Sequence, residues 1–301
     1  MLINEKKKLV ACLSISSNII LTLLKIAAGI LSGSISIISE AIHSLSDFLA
    51  SILTYFSVLK SSQPADNDHP YGHGKYEDMS GFIEGILIIL ASLFIIFEAT
   101  RKIIFNIHMP SENILGIWVM LIAVVMNIIV SSLLFRVAKE SDSISLYADG
   151  EHLRTDVYSS LGILIGLVLI KISRLSVLDP IIAIFVAVFI FTAGSSISKK
   201  ALSNLLDHSL PNDDIEQIEN IIRQHSDIVK LKQHSIKARQ VGPTKDIDLI
   251  LQFPEQTTIC DCHKVSDKIE RQIRNIFPQS SISIHFEPLC YKKTCQTCCR
   301  K

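Results

Sequence analysis

Apolar residues in this chain come in long blocks up to about residue 200 and in short periodic groups after it. Six blocks reach the roughly 20 mostly apolar residues that span a hydrocarbon core: 9–31, 35–60, 81–104, 113–137, 145–171 and 177–198. The third, fourth and sixth are nearly unbroken Ile, Leu, Val and Phe. The first, second and fifth carry polar residues within the block. Beyond the sixth the period changes. Ile215, Ile218, Ile221 and Ile222 share one face of a helix over 213–224. Residues 229–239 and 246–253 read as strands around the Gly242-Pro243 turn. A second helix covers 261–277, and 281–287 alternate as a last strand.

This pattern predicts an α-helical membrane protein, with six transmembrane helices followed by a small cytoplasmic α+β domain of order α-β-β-α-β. The expected division is 1–206 for the membrane domain, 207–289 for the soluble domain and 290–301 for a Cys-rich tail. The apolar share of 49% and the positive mean hydropathy of +0.40 agree with a membrane protein. Lys and Arg total 29 and so do Asp and Glu, so no charge excess points to nucleic acid as a partner. The N-terminal block is too long for a secretory signal, lacks a small-residue cleavage site and is followed by further spans, so it reads as a retained helix.

Basic residues orient the bundle. With the N-terminus inside, the cytoplasmic ends hold Lys6, Lys7, Lys8, Lys60, Lys75, Arg136, Lys139, Lys199 and Lys200, against Arg101, Lys102, Lys171 and Arg174 outside. Both termini are then cytoplasmic. The absence of any evident organelle signal makes the cytoplasmic (inner or plasma) membrane the expected location.

The polar residues of the second and fifth blocks repeat a pattern. SEAIHSLSD and ADGEHLRTD each place an acid, a His three residues later and an Asp four after that: Glu40, His43, Asp47 and Asp149, His152, Asp156. Such spacing puts all three on one helical face. An ionised side chain at mid-bilayer costs about 2.5–3.5 kcal/mol on insertion scales. Two carboxylates with no Lys or Arg on the same face need another compensator, and a divalent cation is one. If the two oppositely directed helices pack together, His43, Asp47, His152 and Asp156 converge as an N2O2 set suited to tetrahedral Zn(II). Two matched motifs favour ligands over hydrogen-bonded helix glue. For Glu40 and Asp149, near the helix ends, ligation and simple solvation stand equally open.

At these residues the sequence resembles a cation diffusion facilitator. The resemblance extends over nearly the whole chain, through the paired HxxxD motifs, QPADNDHPYGHGKYE after the second span, TDVYSSLG in the fifth and LLDHSLP before the soluble domain. It implies a homodimer that moves metal out of the cytoplasm as protons enter. Imidazole changes charge between about pH 5 and 8 and must shed its proton to bind metal, which suits that exchange. The resemblance also implies a loop site at Asp66, His69 and His73, and a regulatory soluble-domain site at His234, His263, His285 and Glu287. Ile250 stands where the family pattern has a further His. Cys260 and Cys262 flank His263, and the tail adds Cys290, Cys295, Cys298 and Cys299. Thiolates bind zinc, copper(I) and cadmium strongly, so completion of the site by the tail and a tail of incidental thiols both stay open.

The reading is therefore proton-coupled efflux of divalent transition metals across the bilayer, Zn(II) first, with Fe(II), Co(II), Cd(II) or Mn(II) as alternative substrates. A zinc protease is disfavoured: Glu151 precedes His152, but position 156 is Asp, so HExxH is not met. A membrane-anchored metal sensor is the second alternative, although an anchor has no need of buried HxxxD motifs in two helices.

Overall fold

The computed structural model describes the backbone of residues 2–32, 35–105, 114–173, 178–225 and 229–289; side chains at 35–47, 162–173 and 230–234, among others, lie outside the described set. The chain divides into two compact units, Met1–Leu205 and Leu206–Lys301.

The first unit is six long helices: α1 (Leu2–Ser32), α2 (Ile35–Ser61), α3 (Lys75–Phe105), α4 (Ile114–Ser141), α5 (Ile144–Ser173) and α6 (Leu178–Leu205). Each matches one expected span and overruns it, because polar turns at the ends continue the helix: α3 starts at Lys75, six residues before its apolar block. Among the described residues, Ile3–Ala28, Lys75–Phe105 and Leu121–Ser141 are long and apolar enough by composition to cross a bilayer. Large apolar side chains such as Leu9, Phe94, Phe97, Phe185 and Phe189 point outward.

Inside, α1, α2, α4 and α5 share an apolar layer of Val10, Ala11, Val58, Val130, Leu134, Leu146 and Leu153. Helices α3 and α6 approach more closely. A Cβ at Gly194 would stand 2.9 Å from Ile88 Cγ2 and 3.0 Å from Gly85 O, so small residues set this spacing. A buried polar hub joins one end of the bundle. Lys7 Nζ pairs with Glu77, which also accepts from Ser143 and from Ser61 Oγ at 2.5 Å. Lys7, one of the basic residues at the helix ends, is here drawn into the interior. It is 1% exposed, and its ammonium compensates a carboxylate that water does not reach.

The second unit has the expected α-β-β-α-β order: α7 (Asn212–Arg223), β1 (Lys230–Val241), β2 (Thr244–Pro254), α8 (Ile259–Ile276) and β3 (Ser280–Leu289). The sheet order is β1-β2-β3, antiparallel between β1 and β2 and parallel between β2 and β3. Gly242, at φ +56°, makes the tight β1–β2 turn. The parallel pair needs a crossover, and α8 supplies it. Ile247, Leu249, Leu251 and Phe253 turn one face of β2 to a core completed by Ile218, Ile222, Ile269 and Ile273. The Thr258 hydroxyl caps α8, accepting from Asp261 N at 3.2 Å.

Candidate metal centres

The fifth helix carries the described half of the repeated motif. Asp149 and His152 are buried and Asp156 is half-buried, all within the first four turns of α5. Helices α2 and α5 pack against each other. The backbone of α2 at positions 40, 43 and 47 is helical, but the side chains of Glu40, His43 and Asp47 lie outside the described residues.

Solvation does not account for Asp149, which is 0% exposed. Its Oδ1 accepts from Ser51 Oγ on α2 at 3.2 Å. Ser51 in turn accepts from Asn18 Nδ2 on α1 at 2.6 Å and lies 3.2 Å from Ser14 Oγ. Three residues further along α2, Thr54 donates to the Glu84 carboxylate on α3, which also accepts from Ser80 Oγ at 3.2 Å. Glu84 is 0% exposed, with Asp149 and His152 in electrostatic reach. Glu84 is an isolated acid in the sequence, but α1, α2, α3 and α5 each contribute polar side chains to one buried seam around it. The signal is faint but present, since Ser14, Asn18, Ser51 and Thr54 also interrupt their apolar blocks at helical spacing.

The loop between α2 and α3 gathers its three expected ligands. The ligand atoms of Asp66, His69 and His73 lie within 4.8 Å of one another, the one such group of three or more among the described residues. His69 Nδ1 is 3.2 Å from Asp66 Oδ1, His73 Nε2 is 3.3 Å from Asp66 Oδ2, and the ring centroids are 4.5 Å apart. Asp66 also accepts the backbone N–H of His69 at 2.7 Å, which holds its carboxyl below the usual range and keeps it anionic. Gly72, at φ +84°, donates to His69 O at 2.9 Å and turns the chain so that both imidazoles face the acid. His73 is buried, yet its Nε2 meets Asp66 without the alignment of a hydrogen bond. Two imidazoles and a carboxylate so disposed offer three donors of the kinds that a tetrahedral zinc site uses.

The soluble unit is less convergent. His263 is exposed on α8, 3.7 Å from Asp267 Oδ1. His285 and Glu287 alternate onto one face of β3, where Ile250 is the register partner of His285 and Gln252 Nε2 donates to Glu287 at 3.2 Å. The His234 side chain and the tail cysteines lie outside the described residues. Cys260 is exposed, whereas Cys262 belongs to the apolar core, where burial pushes its thiol up and away from thiolate chemistry.

Comparison with known proteins covers both units. A model of the cation efflux transmembrane domain matches residues 11–206, and a model of the cytoplasmic domain of cation efflux proteins matches 210–289. The chain is 30% identical over 279 residues to an uncharacterized transporter of Synechocystis, covering 93% of this chain and 89% of that protein. It is 30% identical over 269 residues to the cation-efflux pump FieF of Yersinia enterocolitica, with 89% and 88% coverage. Protein p34 of Rickettsia prowazekii is 28% identical over 282 residues, with 93% and 92% coverage.

Proposed function

Because the chain belongs to the cation efflux family, the cation diffusion facilitators, we propose that it drives divalent transition-metal cations, zinc first, out of the cytoplasm in exchange for protons. The family makes it a membrane transporter of metal cations rather than an enzyme, with a helical transmembrane domain and a cytoplasmic domain used for dimerisation. We infer further that zinc is the preferred metal, that protons are the counter-ion, that the membrane is the inner membrane and that both termini are cytoplasmic.

One observation carries it: Asp149, His152 and Asp156 form a stripe on α5, its first two members buried at a seam of hydroxyl, amide and carboxyl groups inside an otherwise apolar bundle. Acids buried in a membrane unit mark an ion pathway by default. His152 and Asp156, with His43 and Asp47 from the matching motif on α2, make an N2O2 set that fits tetrahedral zinc better than octahedral all-oxygen ions. Proton exchange follows from ligand chemistry, because imidazoles release protons to bind metal and recover them after it leaves. We assign Asp66, His69 and His73 as a second zinc site at the cytoplasmic loop, and His234, His263, His285 and Glu287 as a regulatory site shared between protomers. Domains are taken as 1–206 and 207–289, with the tail at 290–301.

Purified protein in liposomes with an imposed pH gradient tests the reading. Zn(II), Fe(II), Co(II), Mn(II) and Cd(II) fluxes are measured with and without the gradient. Zn(II) flux that is largest and collapses with the gradient is expected. Gradient-independent flux overturns proton exchange, and larger Fe(II) or Mn(II) flux overturns the zinc preference.

A further inference from the structure

We propose that Glu84 and Asp149 form a second intramembrane cation station, where a divalent ion rests on carboxylate and hydroxyl oxygens about one helical turn from His152. This inference rests on the transport reading and adds to it a binding step that the HxxxD motifs do not contain.

Four observations converge. Both carboxyl groups are 0% exposed. Each is held through one oxygen by a hydroxyl from the same face of α2, Asp149 Oδ1 by Ser51 and Glu84 by Thr54, and those two hydroxyls are three residues apart. The other oxygens, Glu84 Oε2 and Asp149 Oδ2, are buried and make no hydrogen bond among the described residues. Among the described residues neither acid forms an ion pair with a Lys or Arg, and the titratable group near both is His152. The contrast with Glu77, a few residues earlier on α3, is direct: that buried acid has Lys7 as its counter-charge.

Helix glue does not explain the arrangement. A buried polar network stabilises when every member is satisfied, and two orphan carboxylate oxygens are what such a network avoids. A cation uses those oxygens. The two acids bring the charge that a divalent ion requires, and Ser51 and Thr54 offer neutral oxygen ligands. An all-oxygen set holds zinc less firmly than one with imidazoles. That is the property of a relay, since an ion that must move on cannot be bound too tightly at each stop.

The test uses the full chain in lipid with Zn(II) alone. Glu84→Gln and Asp149→Asn keep size and hydrogen bonding but remove the charge, so they mimic a protonated carboxyl and hold Zn(II) far more weakly. Bound Zn(II) is counted by equilibrium dialysis in nanodiscs, and uptake kinetics are measured in proteoliposomes. The expected result is a KM raised about tenfold or more in each single variant, a loss of about 1.4 kcal/mol or more of binding, and one fewer bound ion in the double variant. Asp47→Ala with Asp156→Ala removes a different ion, so combining both pairs subtracts two. Native KM and native stoichiometry in the amide variants overturn the station and leave the acids as protonated glue. Where an amide variant does not fold, Glu84→Asp decides: the shorter carboxylate raises KM about threefold or more, and an unchanged KM overturns the proposal. If the native chain carries no Zn(II), the transport reading fails while the dialysis count still judges the station. If Asp47→Ala with Asp156→Ala blocks flux and the amide variants change nothing, the station alone falls.

Discussion

In the soluble unit the fully buried side chains include Ile218, Ile222, Ile247, Leu249, Leu251, Ile269 and Ile273; in the membrane unit Ile88, Leu134, Leu146 and Leu153 share the interior with Lys7, Ser51, Thr54, Glu77, Glu84 and Asp149. The outer surfaces reverse the pattern. Leu9, Phe94, Phe97, Phe185 and Phe189 are exposed on the helices of the membrane unit, whereas Asp248, His263 and His285 are exposed on the soluble one. Surrounding solvent explains the inversion. Water drives apolar side chains together at roughly 25 cal/mol per Å², but acyl chains give helices no such drive, so polar contacts and close backbone approach must hold them. The lesson concerns function as well. A buried acid in the soluble unit would be a defect, while in the membrane unit it is affordable only if paired as Glu77 is, or used as we propose for Glu84 and Asp149.

The largest effect is expected from breaking the paired acid. Lys7→Ala leaves Glu77 buried without its counter-charge and should cost about 3–5 kcal/mol, read as a lower melting temperature in detergent. Replacing both with Leu should recover most of that loss. If Lys7→Ala melts like the native chain, Glu77 is not held by charge pairing. The counterpart in the soluble unit is Ile269→Ala, expected to cost about 2–5 kcal/mol by opening a cavity, with no change in the metal dependence of transport.

A smaller and more local change is Ser51→Ala. It removes the donor to Asp149 and the acceptor of Asn18, and should cost about 1–3 kcal/mol while lowering zinc flux. Ser209→Ala, at the start of the soluble unit, is its neutral control. The smallest effect is one of pH. The Thr258 hydroxyl at 2.7 Å, and then Lys264 at 3.0 Å, hold the Asp261 carboxyl below its ordinary range. A folded value below the unfolded one, which is about 3.9, gives stabilisation that is complete above the unfolded value and lost as pH falls through the folded one. Asp261→Asn should therefore lower the melting temperature at neutral pH and converge with the native chain as pH falls below the folded value. A difference that persists in acid would assign the effect to packing.

Much of this inversion was legible in the sequence, because its two periods differ. Runs of apolar residues marked α1 to α6, and the shared face of Ile215, Ile218, Ile221 and Ile222 marked α7. The α-β-β-α-β order followed from turn residues and alternation. The parallel β2–β3 pairing did not, since register partners such as Ile250 and His285 are 35 positions apart and no local pattern encodes them. Lys7 and Glu84 escaped for a related reason. Each looks like a lone charge near a helix end, and its meaning depends on Glu77, Ser143 and Ser61, or on Thr54 and Asp149, which come from other helices. Asp66, His69 and His73 were easier, since they are close in sequence and one Gly turn brings them together.

The central claim is that the membrane seam, and not the soluble unit, moves the cation. Zn(II) flux through reconstituted full-length protein should be compared for Asp47→Ala with Asp156→Ala and for His263→Ala with His285→Ala. The first pair should abolish flux down to the level of empty liposomes, while the second should leave most of it and alter only its response to zinc concentration. Flux that survives the first pair, or vanishes with the second, would contradict it.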